Sequence, residues 1–267
     1  MTPYEQKVLK AIRAWEAEEP GWGTRLLAKP GSKVAQMVQV VVPPAAVRAA
    51  LLGADKLGRK LSDERSILKR AGVDTLADLR IGELEACDRL AKTVSRRATT
   101  LGGATGAIFG VAGAAGLVAD IPTLLTLALR TVHRIGFCYG EQGGAEDERR
   151  TGIAIFALVS ANSAEEKRRA LAALRGGDAA LDAAWRDGVE RVAERELAKE
   201  ATVYSLQNLA RTIGVNLGRR KAAGAIPVLG AAVGGAVNAW YLSDVAQVAR
   251  HVFQERWLAA RYPGALR

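Results

Sequence analysis

The sequence predicts an all-α protein, a compact multi-helix bundle with two Gly/Ala-rich central helices packed closely. Hydrophobic residues make up 49% of the 267-residue chain, alanine is the most frequent of them, and aromatic residues are only 5%. Alanine has the highest helix propensity, and runs of β-branched residues are few. Two long uncharged stretches, 98–119 and 222–243, consist mostly of glycine and alanine. Both are long enough to cross a bilayer but poor in the large apolar residues that favour insertion.

The first third of the chain predicts helices separated by proline and glycine. Apolar residues at helical spacing indicate an amphipathic first helix over 4–15, and further helices are predicted over 26–42 and 45–57. Ser62–Glu64 supplies a helix start, Gly72 ends that helix, and Asp74 or Thr75 caps the next one. A longer amphipathic helix is predicted over 82–97.

Glycines recur every fourth residue in the first uncharged stretch. Gly102, Gly106 and Gly110 share one side of the predicted helix, whereas Leu101 and Ile108 lie on the other. Small residues at this spacing, the pattern of a glycine zipper, allow a second helix backbone to approach closely.

The second uncharged stretch has a cleaner division between its two faces. Gly230, Gly234 and Asn238 lie opposite a bulky face that includes Trp240. We expect the two glycine faces to contact each other. Asn238 could form a hydrogen bond across the helix pair, or it could be an ordinary buried amide. Trp240 and Tyr241 fit either an interfacial position or the core.

The remaining helices are predicted over 121–139, 149–161, 163–174, 178–217 and 244–260, with Asn162 or Ser163 as a cap. The basic run Lys167–Arg169 is typical of a solvated face. Because no low-complexity linker divides the chain, we expect one domain over 1–267, with 1–60 as a helical arm packed on it.

Asp120 is the only charged residue between Arg97 and Arg130. One interpretation is a buried carboxylate that binds a proton, a cation or a lipid headgroup. The other, which the sequence favours, is a helix N-cap, because Asp120 precedes Pro122 as in a helix start. The cap would also divide the long apolar run into two helices.

Arg130, His133 and Arg134 form a basic cluster towards the end of the predicted helix 121–139. They could hold an anionic headgroup. The sequence favours the alternative that they complement the negative end of the helix dipole.

The net charge of +10 predicts an anionic partner. Basic clusters precede both uncharged stretches, Arg96–Arg97 before the first and Arg219, Arg220 and Lys221 before the second. We therefore expect binding to anionic lipid or a membrane surface, with a membrane protein as another partner. Nucleic acid is not favoured, because acidic and basic residues alternate along most helices and no recognition-helix motif occurs.

The sequence favours a non-enzymatic protein without a cofactor or a metal. The two histidines, His133 and His251, lie too far apart for a zinc-peptidase motif, and no serine-hydrolase elbow or phosphate loop occurs. Cys87 and Cys138 form no metal motif and are predicted to be small buried hydrophobic residues. No apolar signal segment begins the chain, which fits a cytoplasmic protein.

Several stretches resemble the EcsC family of bacterial proteins. They are LSDERSILKRAGVDTLADLR at 61–80, ADIPTLLTLALRTVHRIGFCYG at 119–140, AIPVLGAAVGGAVNAWYLSDV at 225–245, and the YEQKVLKAIRAWE and VVPPAAVRAALLGADK stretches nearer the start. The resemblance covers nearly the whole chain. It implies membrane association, and the family name comes from a gene beside an ABC transporter. Its biochemical role is unsettled, and no motif here supports the peptidase label that has been applied to it.

These observations favour a protein peripheral to the inner membrane that binds anionic lipid or a membrane-protein partner, with a link to transport or secretion. A soluble all-α interaction protein is the alternative, and a hydrolase with a spatially assembled site is less favoured.

Overall fold

In a computed structural model, every regular element of the described residues is a helix, which confirms the all-α prediction. The described residues are 1–19, 53, 57–58, 60–111, 114–142, 151–152, 154–156, 158–159, 161, 163–175 and 222–264. The helices are α1 (Pro3–Ala17), α2 (Glu64–Ala71), α3 (Leu76–Ile81), α4 (Leu84–Val111), α5 (Ala114–Cys138), α6 (Ala164–Arg175) and α7 (Ala222–Arg261).

The short helices begin and end where the local sequence signals predict. Asp63 caps the start of α2, and Gly72 ends it with the left-handed backbone angle φ of 71° that glycine adopts without strain. Thr75 caps α3 and Ser163 accepts a bond from the Glu166 amide at the start of α6. These boundaries follow from side chains within three residues of the helix end, so a sequence pattern finds them.

The long helices differ from their predicted bounds. Helix α4 joins the predicted helix 82–97 to most of the first uncharged stretch, and α7 joins the second stretch to the predicted helix 244–260. Helix α5 already begins at Ala114 and runs through Asp120 and Pro122. The predicted helices 26–42 and 178–217, and most of 45–57, lie outside the described residues.

Helices α4 and α7 approach closely through their glycines, as the two-central-helix prediction requires. A Cβ atom at Gly106 would overlap the carbonyl oxygen of Gly234, and one at Gly234 would overlap the carbonyl oxygen of Gly106. A Cβ at Gly235 would lie 2.9 Å from the carbonyl oxygen of Gly103. The contact is therefore backbone against backbone, with room for no side chain larger than hydrogen.

The central helices are antiparallel, because Gly102 faces Leu242 whereas Gly106 faces Gly234. Helix α5 packs against both α4 and α7, and α1 lies across the same pair. Large fully buried side chains fill the core around this layer, among them Trp257, Tyr241, Phe156 and Leu125. Tyr241 is thus a core residue, whereas its neighbour Trp240 is 39% exposed.

We predict that Gly106→Ala lowers the free energy of unfolding by about 1–3 kcal/mol, because the new methyl group overpacks the α4–α7 contact. Urea unfolding followed by circular dichroism measures the change. Gly53→Ala is the matched control, since Gly53 is exposed, helical and has no atom within 4 Å of an added Cβ. Equal stability of the two variants would contradict the tight contact.

Candidate functional site

A buried polar pair joins α5 to α7 beside the glycine contact. The Asn238 Nδ2 atom donates to both carboxylate oxygens of Asp120, at 2.9 Å and 3.0 Å. Asp120 is 5% exposed and Asn238 is 2% exposed. Asn238 therefore forms the hydrogen bond across helices that its position on the glycine face allowed.

Gly106 provides the space for the Asp120–Asn238 pair. A Cβ atom at position 106 would lie 2.7 Å from the Asn238 Nδ2 atom. The glycine that lets the two backbones meet thus also lets the amide reach across to α5.

The favoured N-cap interpretation of Asp120 is wrong. Helix α5 begins at Ala114, and Asp120 lies six residues further along, in the interior of the helix. The physical reason is that the helix continues through Asp120, so the backbone amides after it are not the free amides of a first turn. The carboxylate is instead bound by Asn238, which is 118 residues away. Asp120 is buried, as the other interpretation required, whereas the binding of a proton, a cation or a lipid headgroup there stays a prediction.

The three members of the basic cluster in α5 have separate surroundings. Arg130 Nε donates to the Leu61 carbonyl oxygen at 2.9 Å, and Arg134 Nη2 donates to Ser66 Oγ at 3.1 Å. His133 is 4% exposed and lies in the interior. The predicted dipole role is wrong, because the last turn of α5 contains no basic residue. Arg130 instead holds the segment that leads into α2, and Arg134 holds the first turn of α2.

Burial lowers the pKa of Arg134, and the nearby charge of Arg130 lowers it further. An arginine remains charged at neutral pH despite such a shift. Its donors point to the protein's own oxygen atoms, so this part of α5 offers a less open anion site than the sequence suggested.

The exposed side of α4 changes character along the helix. Arg96, Arg97 and Thr100 are exposed, and the exposed residues that follow them on α4 are apolar. We call Leu101, Ala104, Ile108 and Val111 the apolar strip; Leu101, Ile108 and Val111 are 46%, 68% and 55% exposed. Residues Arg219, Arg220 and Lys221 lie outside the described residues.

Trp240 lies in the same half of the bundle as the apolar strip. Its neighbour Ala239 approaches Gly103 of α4, where an added Cβ would lie 3.5 Å from the Ala239 Cβ. Gly110 belongs to the same close contact, since its Cα would lie 3.3 Å from a Cβ at Gly234. Gly230 lies within α7, one turn before Gly234.

The structure also contains a buried polar cluster that the sequence analysis missed. Asp88 of α4 is 1% exposed. Its carboxylate accepts hydrogen bonds from Tyr4 at 2.6 Å, from Gln254 at 2.7 Å and from Tyr139, and Arg250 Nη2 lies 4.0 Å away. We call these five residues the Asp88 cluster.

Both tyrosines of the Asp88 cluster remain protonated donors at neutral pH. Burial raises the pKa of Tyr139 well above its ordinary value, and the charge of Asp88 raises it further. Burial and the hydrogen bond to Asp88 raise the pKa of Tyr4 in the same direction. The cluster therefore holds a carboxylate by donors from α1, α7 and the end of α5.

The described residues offer little conventional catalytic chemistry. They contain no group of three His, Cys, Asp or Glu side chains that could hold a metal ion. Cys87 and Cys138 are fully buried, as predicted, and burial raises the pKa of each thiol to about 12. Neither thiol is a ready nucleophile at neutral pH, because the reactive form is the thiolate.

Among the helices described, none combines the length and the hydropathy that a transmembrane span requires.

The fold and these sites define an all-α protein with a glycine-packed helix pair at its centre. Residues 6–258 match the EcsC protein family, and the chain belongs to that family. It is 26% identical over 211 residues to the uncharacterized protein YdbA of Bacillus subtilis (strain 168), an alignment that covers 76% of this chain and 72% of YdbA. No solved structure shows a significant match.

We predict that Asn238→Leu lowers the free energy of unfolding by about 1–3 kcal/mol or more, because it removes the amide donor from a buried carboxylate. Urea unfolding measures the loss. The double variant Asp120→Leu/Asn238→Leu should lose less than the sum of the two single losses, since it removes both polar partners together. Strictly additive losses would contradict an energetically coupled pair.

We predict that Tyr4→Phe lowers the free energy of unfolding by about 1–2 kcal/mol, because the Asp88 carboxylate loses one of its donors. Tyr262→Phe is the matched control, since the hydroxyl of the partly exposed Tyr262 also donates to a carboxylate of α1, that of Glu5, at 2.9 Å. Thermal unfolding should separate the two variants. A larger loss for Tyr262→Phe would mean that the Asp88 cluster does not hold α1.

Proposed function

We propose that this protein binds the surface of an anionic membrane through the uncharged end of its helix bundle. The observation that carries the proposal is the apolar strip, which is exposed on α4 directly after Arg96 and Arg97. Exposed apolar residues grouped on one helix face are typical of an interaction site, whereas single ones are ordinary.

The charged and the apolar residues of the proposed surface follow one another along α4 in an order that suits a lipid interface. Residues 98–119 contain no charge, so α4 carries none after Arg97. Ile108 lies eleven residues beyond Arg97, about 16 Å along the helix axis. Interfacial helices bury an apolar face about 5–10 Å into the headgroup boundary. The strip can therefore enter this boundary while the two arginines remain among the headgroups.

The charge of the chain supports an anionic rather than a neutral surface. The net charge is +10, and each Lys or Arg near an anionic leaflet contributes about 1 kcal/mol. Burying a half-exposed Leu, Ile or Val side chain contributes a similar amount. Since each residue adds so little, binding needs the arginines and the apolar strip together.

The buried polar residues at the uncharged end of the bundle favour a shallow, peripheral attachment over insertion of the helices into the bilayer. Asp120 and Asn238 are buried there, and a charged carboxylate is costly in hydrocarbon. In this proposal the protein is cytoplasmic and lies against the inner membrane, and it contacts anionic lipid or a membrane protein presented there. A role in transport or secretion would follow from such a partner.

Vesicle flotation tests the proposal. We expect the protein to float with vesicles that contain phosphatidylglycerol at low salt, and to float much less at high salt. The reason is that charge attraction is screened beyond about 8 Å at physiological ionic strength. Ile108→Glu should abolish flotation, and Arg96→Glu/Arg97→Glu should reduce it at least as strongly as high salt does.

Two matched variants control for general effects of charge. Ile81→Glu changes an isoleucine that is 72% exposed at the end of α3, beside the start of α4. The start of α4 lies about 36 Å from Ile108 along the helix axis. Lys7→Glu/Lys10→Glu on α1 alters the net charge by the same amount as the double arginine variant. Both controls should float as the wild type does. Loss of flotation in either, or no binding of the wild type at low salt, would refute the proposed surface and favour a soluble interaction protein.

A further inference from the structure

The C-terminal part of α1 is held by a stack of three side chains from three helices. The Trp15 ring of α1 lies against the His251 ring of α7, with centroids 4.8 Å apart and planes inclined by 22°. The Lys167 ammonium of α6 lies 4.6 Å from the Trp15 ring centroid. Lys167 also donates to the backbone carbonyl oxygens of Trp15 and Glu18, the latter at 2.9 Å.

The burial of Lys167 therefore contradicts the prediction that residues 167–169 form a solvated basic face. It is 7% exposed, whereas Arg168 and Arg169 are exposed and pair with Glu165. Lys167 caps the C-terminal carbonyls of α1, where a cation complements the helix dipole.

We propose that this stack is an acid-sensitive latch, in which protonation of His251 releases α1 from the bundle. The latch consists of Trp15, Lys167 and His251. Two cationic side chains, Lys167 and Arg250, lie near the imidazole ring of His251. The latch therefore accommodates the ring in its neutral form.

The surroundings of His251 disfavour a charge on the imidazole. Its Nδ1 atom is buried and has no hydrogen-bond partner in the described part of the chain, so a proton added there would be an unsatisfied buried donor. Among the described residues, the charged groups around the latch come from four helices. They are Glu16 of α1 and Glu18 just after it, Asp88 of α4, Lys167 and Arg175 of α6, and Arg250 and Glu255 of α7.

The balance of these groups lowers the pKa of His251 to about 4. Burial is the largest cause and Arg250 the next, while Gln254 and Asp88 act in the opposite direction. Since the pKa is depressed in the docked state and returns towards 6.5 on release, the latch is fully stable above pH 6.5. It weakens as the pH falls towards 4, because the released state binds the proton.

The size of the effect follows from the two pKa values. At pH 5, a histidine with a pKa of 6.5 in the released state and about 4 in the docked state increases the release equilibrium about 30-fold relative to pH 8. Asp and Glu side chains with ordinary pKa values remain mostly ionised at pH 5. Ordinary α-amino and histidine groups do change charge between pH 8 and pH 5. The histidine variants, rather than the pH change alone, therefore identify His251.

Hydrogen exchange of the full-length protein tests the latch. We expect the amides of residues 3–17, corrected for intrinsic rates, to show about 30-fold more frequent opening at pH 5 than at pH 8. His251→Phe should abolish this pH dependence, because phenylalanine stacks on Trp15 but does not titrate. His133→Gln is the matched control, since it removes the other histidine of the chain and should retain the pH dependence.

A direct titration of His251 in the wild type provides a second measurement that needs no variant. Nuclear magnetic resonance should give a midpoint near 4 for His251 while α1 is docked. A midpoint near 6.5 with α1 still protected would overturn the proposal. So would a pH dependence of α1 opening that persists in His251→Phe or disappears in His133→Gln.

Discussion

The structure depends on the contact between Gly106 of α4 and Gly234 of α7. With no side chain at either position, the two backbones meet directly, and the amide of Asn238 occupies the space that a Cβ at Gly106 would need. That amide in turn holds the buried carboxylate of Asp120 on α5. The packing of three helices and the hydrogen bonds to one buried carboxyl group thus follow from one missing side chain. A larger residue at position 106 would disturb both, since the amide and the backbone share the same space.

The local features of this fold could be predicted from the sequence, because their causes are local. Helix caps at Asp63, Thr75 and Ser163 act within three residues, and the four-residue spacing of glycines identifies a packing face. The position of Asp120 could not be predicted in this way. Its Asp-x-Pro sequence is typical of a helix start, but α5 already begins at Ala114, so the backbone amides after Asp120 lie within the helix and need no cap. The carboxylate is instead bound by Asn238, 118 residues away, and this tertiary contact could not be predicted from the local sequence.

The Asp88 cluster shows a second limit of sequence reasoning. The available signal was a carboxylate on the buried face of α4, one turn after Leu84 and one turn before Ala91, where an apolar residue is expected. Such a residue must find partners, but Tyr4, Tyr139 and Gln254 come from three distant parts of the chain with no characteristic spacing. Lys167 is similar, because only the end of α1 packed against it explains its burial within a basic run.

The two ends of α4 differ in which side chains are buried and which are exposed, and the difference bears on function. Near its start, the buried carboxylate of Asp88 is held by three hydrogen-bond donors, which is the ordinary requirement of a buried polar group. Near its end, Leu101, Ile108 and Val111 remain exposed although the glycine contact, not these side chains, holds α4 against α7. Alanine at these positions would preserve the helix and avoid exposed apolar surface. Folding does not require large apolar side chains there, and the proposed membrane contact would give them a role beside the two exposed arginines.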